Sequence, residues 1–273
     1  MLSEIIHIMA YTLYIYLSVS VGYIVLFSAA SHFFKQKKYP ATTVRQRFII
    51  LVPAYKEDAV IHACVTSILR QTYPAELYDL IVISDHMRPE TNASLRKERI
   101  GLIELHEKES SKAKALRIAA ETITDQPYYV LILDADNLIS PCYLQELNKA
   151  VSQGIKAIQT HRKAKNMNTD IALLDAAIEE MNNSIFRKGH IRLGFSSALT
   201  GSGMAFDFRW FVRNIIHTHS TGEDKELEEL LLRQGIHIEY IDTLETLDEK
   251  VRQPDALRNQ RRRWIATQLF LAL

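Results

Sequence analysis

From Ile5 to Phe34 the chain carries no Asp, Glu, Lys or Arg, and the run is built mainly from Ile, Leu, Val, Tyr, Phe and small residues. A hydrocarbon core of roughly 30 Å needs about 20 apolar residues, so this stretch is long enough to cross a bilayer with room to tilt. It opens on Ser3 and Glu4 rather than on a basic region, and it outruns a secretory signal, so it reads as an anchor that stays on the chain. Lys35, Lys37, Lys38, Arg45 and Arg47 follow at once. The positive-inside tendency then places the rest of the chain on the cytoplasmic side and the N-terminus outside. The competing reading is a helix buried in a protein core. The expected division is a transmembrane anchor over 1–34, a basic juxtamembrane linker over 35–46 and a folded domain over 47–268. Residues 255–273 end in a new apolar run, expected to be an interface helix cut short before further membrane segments.

With 273 residues, 24% charged and 47% hydrophobic, the chain can bury a sizeable core. A formal net charge of +1 argues against a nucleic-acid partner held by bulk phosphate attraction. Two cysteines, Cys64 and Cys142, make neither a disulfide framework nor a metal spacing.

Beyond the linker, short apolar runs alternate with helical patterns. Phe48–Val52, Leu80–Ile83, Ile100–Leu105 and Tyr128–Leu133 read as strands. Between them, Asp58–Gln71, capped by Asp58, and Lys112–Thr122 read as helices. This order predicts an α/β domain with a mostly parallel sheet covered by helices on both faces. Ligands of such sheets bind beyond the carboxyl ends of the strands. Farther on, helices are expected over Asp170–Lys188 and Glu223–Arg233, a turn at Gly201-Ser202-Gly203, and a last helix containing Gln260 to Trp264.

Asp134-Ala135-Asp136 directly follows the apolar strand Tyr129–Leu133. Two carboxylates at a strand end suit a hard cation that also takes oxygens of a substrate diphosphate, so Mg²⁺ or Mn²⁺ is the expected cofactor. The same letters can be a solvated turn, or the nucleophile motif of a phosphohydrolase of the haloacid-dehalogenase type. That motif usually continues to Thr, where this chain has Asn137 and Leu138. Pro53-Ala54-Tyr55-Lys56-Glu57 and Ser84-Asp85 should converge on the same sheet edge. There an Asp can accept from a base N–H and Tyr55 can offer a stacking face. Gly222-Glu223-Asp224 opens a helix, and Gln260-Arg261-Arg262-Arg263-Trp264 sets arginines that favour phosphate beside an indole that favours a sugar face.

These motifs, in this order from about residue 46 to 268, resemble the family 2 glycosyltransferases of the GT-A fold, which include cellulose, chitin and hyaluronan synthases and ceramide glucosyltransferase. The resemblance implies an inverting transfer from a nucleotide-sugar, with a UDP-sugar as the expected donor, to a polysaccharide or lipid-linked acceptor at the cytoplasmic membrane face. It makes Asp224 the general base, Asp136 the main metal ligand and Asp134 its neighbour. It puts Pro53, Tyr55, Glu57, Asp85, Lys112, Asp134, Gln260 and Arg263 on the donor side, with Trp264 and Glu223 on the acceptor side. The chain departs from the family pattern at three points. Ser84-Asp85-His86-Met87 stands where Asp-Asp-Gly-Ser is common, Ser111 replaces the usual Gly before the lysine, and Gly222 stands ahead of the Glu-Asp pair. A catalytically inactive membrane scaffold is the alternative outside enzymology, and the joint presence of Asp134, Asp136 and Asp224 counts against it.

Overall fold

The computed structural model describes residues 2–33, 37–106, 110–124, 129–220, 222–255, 257–258, 260–262 and 265. Eight strands form one sheet: β1 (Phe48–Tyr55), β2 (Tyr78–Asp85), β3 (Gly101–Leu105), β4 (Tyr129–Ile132), β5 (Leu138–Ile139), β6 (Ala157–Ala164), β7 (Met204–Asp207) and β8 (Ile238–Asp248). Their spatial order is β3-β2-β1-β4-β7-β6-β8-β5. β1 runs parallel to β2 and β4, and β2 runs parallel to β3. The expectation of parallel βαβ units therefore holds through β4. Beyond it the sheet is mixed: β7 is antiparallel to β4 and β6, while β8 returns parallel to β6. The carboxyl ends of β1, β2, β4, β6 and β8 consequently share one edge.

The parallel half is apolar without alternation because both faces are covered. Phe48, Ile50 and Val52 enter one core and Ile49 and Leu51 the other. Burying each such side chain stabilises the fold by about 1.5–3 kcal/mol. α1 (Leu2–Phe33) precedes the sheet, and α2 (Ile61–Leu69), α3 (Pro89–Leu95) and α4 (Lys112–Thr122) connect its first four strands. α4 spans the residues expected of it. Ser111 caps it, its Oγ accepting from the Lys114 N–H, and Ala113, Ala115, Leu116, Ala119 and Ala120 form its buried face. Asp58, expected to cap α2, does something else. The helix starts three residues later, and the Asp58 carboxylate accepts from the Arg88 N–H across the loop after β2. That hydrogen bond tethers two loops of the functional edge, which a local cap would not do.

α5 (Tyr143–Val151), α6 (Asp170–Asn182), α7 (His190–Arg192), α8 (Phe208–Ile215) and α9 (Glu223–Arg233) follow along the chain. The helix expected over Asp170–Lys188 changes character at Asn183, where a π-helical stretch runs to Gly189. Wide turns of this kind re-aim side chains, and here the stretch buries Arg187 and receives α1. Ser31 Oγ lies 2.7 Å from Ser184 Oγ, and Tyr23 Oη 2.5 Å from His190 Nε2. A Cβ at Gly189 would sit 2.2 Å from the Phe27 carbonyl oxygen, so only glycine permits this approach. Gly189→Ala should displace α1. A Ser31→Cys/Ser184→Cys pair is expected to cross-link readily in the parent chain and poorly in the Gly189→Ala background, read as the oxidised fraction on a non-reducing gel.

Candidate functional site

The site is assembled at the shared carboxyl edge. β4 ends against Asp134, whose backbone N–H donates to Asn137 Oδ1 at 2.9 Å. Asn137, fully buried, is also contacted by Ser202 Oγ, and its amide donates to Asp136 at 3.1 Å and Asp248 at 3.4 Å. One asparagine side chain thus ties the turn after β4 to the end of β8. Carboxylate oxygens of Asp134, Asp136 and Asp248 lie within 4.8 Å of one another.

The three acids differ in what balances them. Asp134 Oδ1 accepts from Lys112 Nζ at 2.5 Å. Asp248 pairs with Arg162 at 2.7 Å and Lys250 at 2.9 Å, and despite burial these cations hold its carboxyl below the usual range. Asp136 makes no ion pair among the described residues. Its carboxylate accepts from the Glu249 N–H at 3.1 Å. Burial, then repulsion from Asp248 and Asp134, pushes it up to about 6. A cluster of three carboxylates with one left uncompensated fits a hard divalent cation.

Lys112, at the first turn of α4, is the junction of the site. Besides Asp134, its ammonium donates to the Gly201 carbonyl at 2.6 Å and lies 3.5 Å from Glu223. Burial works against its charge, yet Asp134 and Glu223 outweigh that and keep its pKa raised. The Gly201–Gly203 turn is where expected, and both glycines are left-handed. At Gly203 a Cβ would meet Thr160 Oγ1 of β6 at 2.3 Å and Thr246 Oγ1 of β8 at 2.7 Å, because the residue just ahead of β7 packs directly onto these two strands. The position a Cβ would take at Gly201 lies 3.9 Å from both Lys112 Nζ and Asp224 Oδ2, which places Asp224 in the same cluster. Glu223 and Asp224 open α9, whose N-terminus favours negative charge. Burial nevertheless dominates and raises both, Glu223 to about 7 with Lys112 partly opposing.

A second group lies at the ends of β1 and β2. The Asp85 carboxylate, nearly buried, accepts from His86 Nδ1 at 2.6 Å, and the Tyr55 ring stands 5.7 Å from the His86 ring. Lys56 and His86 are the two described non-glycine residues with left-handed backbone. Such strain concentrates where a site demands it. Pro53, in β1, is half-buried below Tyr55. Glu57 reaches toward the acids, and burial followed by repulsion from Asp134 raises its carboxyl. Gln260 and Arg261 are helical, with Arg261 bound to Asp175 of α6 at 2.7 Å. Arg263 and Trp264 lie outside the described residues.

Sequence reasoning missed Asp248, Arg162, Lys250 and Asn137. Asp248 carried the same signal as Asp134, an acid at the carboxyl end of a strand, but without a neighbouring motif nothing placed β8 beside β6.

The profile of the glycosyltransferase like family 2 matches residues 45–267. The chain belongs to this family. Solved structures agree in fold. The mannosyltransferase PcManGT from Pyrobaculum calidifontis, in complex with GDP-Man and Mn²⁺, is 17% identical with a TM-score of 0.63, over 87% of this chain and 67% of that one. S. aureus TarS 1-349 in complex with UDP-GlcNAc is 14% identical with a TM-score of 0.54, over 76% of this chain and 59% of its own. This chain thus spans about two thirds or less of these relatives. No curated protein matches the sequence. The GT-A-like fold of the chain is the one expected, and its family excludes the phosphohydrolase reading of Asp134-Ala135-Asp136. α1 is long and apolar enough to cross a membrane.

Proposed function

We propose that the chain is an inverting glycosyltransferase that moves a sugar from a nucleotide-sugar to a lipid-linked or glycan acceptor beside the membrane carrying α1. The domain is read as cytoplasmic and the N-terminus as outside. The observation that carries the proposal is the convergence of Lys112, Asp134, Glu223 and Asp224 beside the uncompensated Asp136 at one sheet edge. The GDP-Man and UDP-GlcNAc complexes of the fold relatives support a nucleotide-sugar donor, and a UDP-sugar is proposed here.

Asp136, with Asp134 beside it, would hold Mg²⁺ or Mn²⁺, which when bound neutralises charge on the donor diphosphate. Asp85 accepts from the nucleobase and Tyr55 stacks on it, while Pro53 and Glu57 shape the same loop. Lys112 presents an ammonium fixed by three oxygen partners toward the diphosphate, and Gln260 and Arg263 are assigned to the same donor side on the family resemblance. Asp224 takes the proton of the acceptor hydroxyl as its oxygen bonds to the anomeric carbon and the bond to the diphosphate oxygen breaks. A single displacement inverts that carbon. Glu223 and Trp264 are assigned to the acceptor side on the same resemblance. Exclusion of water is what raises Asp224 and makes it a better base than an exposed aspartate.

Calorimetric titration of nucleotide-sugars and free nucleotides into the detergent-solubilised chain tests this. One nucleoside diphosphate and its sugar should bind with Mn²⁺ and lose affinity in chelator. Absence of binding across the panel would favour an inactive scaffold.

A further inference from the structure

α6 is built inside out. Its domain-facing side carries buried acids: Asp175 pairs with Arg261 at 2.7 Å, and Glu179 pairs with Arg187 at 3.1 Å and Lys250 at 3.5 Å. Its solvent side carries Leu173, Leu174 and Met181, which are 53%, 51% and 59% exposed, with Ala177 and Ile178 completing one helical stripe. A helix on the surface of a water-soluble domain turns its apolar stripe inward, whereas this one exposes such a stripe while its buried acids are locked in ion pairs.

The stripe continues to the foot of α1. Phe186, just past α6, stands 6.2 Å from the Tyr23 ring, and Phe195 stands 5.7 Å from Phe27. The last third of α1 packs on the domain, with Phe27, Ala30 and Ser31 buried, and the described side chains of its preceding turns are largely exposed. At 1.5 Å per residue, the free stretch ahead of Tyr23 rises roughly 30 Å, the thickness of a hydrocarbon core. A bilayer filled by that stretch ends at the level of Tyr23, an aromatic suited to the interface, and therefore at Phe186.

We propose that the outward stripe of α6, with Phe186 and Phe195, rests in the interfacial layer of the bilayer that α1 crosses. The inference rests on α1 being a span. The occupant is lipid because the stripe is continuous with a helix whose own exposed side chains demand lipid. A helix so placed sinks about 5–10 Å into the boundary between headgroups and acyl chains. Its inner face then connects the membrane to the site: Glu179 and Asp248 share Lys250, and Asp175 holds the helix of Gln260.

The test uses the full chain in lipid nanodiscs with Cys142→Ser, Cys64 being buried. Single cysteines at Leu13, Leu174, Met181 and Glu76 carry a nitroxide, and collision with dissolved oxygen is compared with collision with a water-soluble nickel chelate. Labels at 174 and 181 should favour oxygen, as at 13, with loss of nickel collision relative to 76. Water-like behaviour at 174 and 181 with lipid-like behaviour at 13 overturns the inference and leaves the span standing. Shielding from both agents, the mark of a protein partner, also overturns it. If 13 itself is water-exposed, the span reading falls and the inference with it. Phe195→Cys gives an independent label should either α6 variant fold poorly by circular dichroism.

Discussion

Asp224→Asn is expected to lower turnover at least about a hundredfold while leaving nucleotide-sugar affinity nearly intact, in keeping with the usual contribution of a general base. Asparagine keeps the size and the hydrogen-bonding reach of the side chain but cannot accept a proton. Steady-state rates together with calorimetry separate the two effects, and near-normal turnover would remove Asp224 from the proposed role. The pH profile is a second readout. Burial raises the Asp224 carboxyl, and Glu223 beside it is pushed up to about 7. A base works only when ionised, so turnover should rise with pH along a limb lying above the ordinary aspartate range, flatten once the pair is ionised, and be lost in Asp224→Asn.

Asp136→Asn should weaken Mn²⁺-dependent binding of the nucleoside diphosphate by at least about a hundredfold, more than the loss typical for a residue that merely supports a ligand. Asp134 is already neutralised by Lys112, and Asp248 by Arg162 and Lys250. Asp136 alone of the three retains an unbalanced charge for a cation. Titration in chelator provides the control, because the substitution should change little there. Equal affinities with and without the substitution in Mn²⁺ would put the cation elsewhere.

Much of this site was legible in order along the chain. Asp134 and Asp136 stood out because an apolar run ended on them, whereas Lys112 and Asp224 were singled out by the family resemblance, in helices that start at the expected Lys112 and Glu223. Asp58 misled for a physical reason. Its side chain can satisfy either a local helix N–H or a distant one, and only the fold brings Arg88 within 2.9 Å. The π-helical stretch after Asn182 left no mark in the local pattern, and α1, which packs against it at Gly189, comes from a segment far away in sequence.

The sequence by itself determined the elements whose signals are local. The apolar run of α1, the unalternating strands of a doubly covered sheet, and the acids and lysine at strand and helix ends all follow from hydropathy period and capping within a few residues. Tertiary structure alone decided how charge is balanced. Asn137 bridging Asp136 and Asp248, Arg162 and Lys250 neutralising Asp248, and the acids of α6 turned inward depend on β8 lying beside β6, and strand neighbours in a sheet are chosen by packing of the whole chain, with no mark left in the residues next to them.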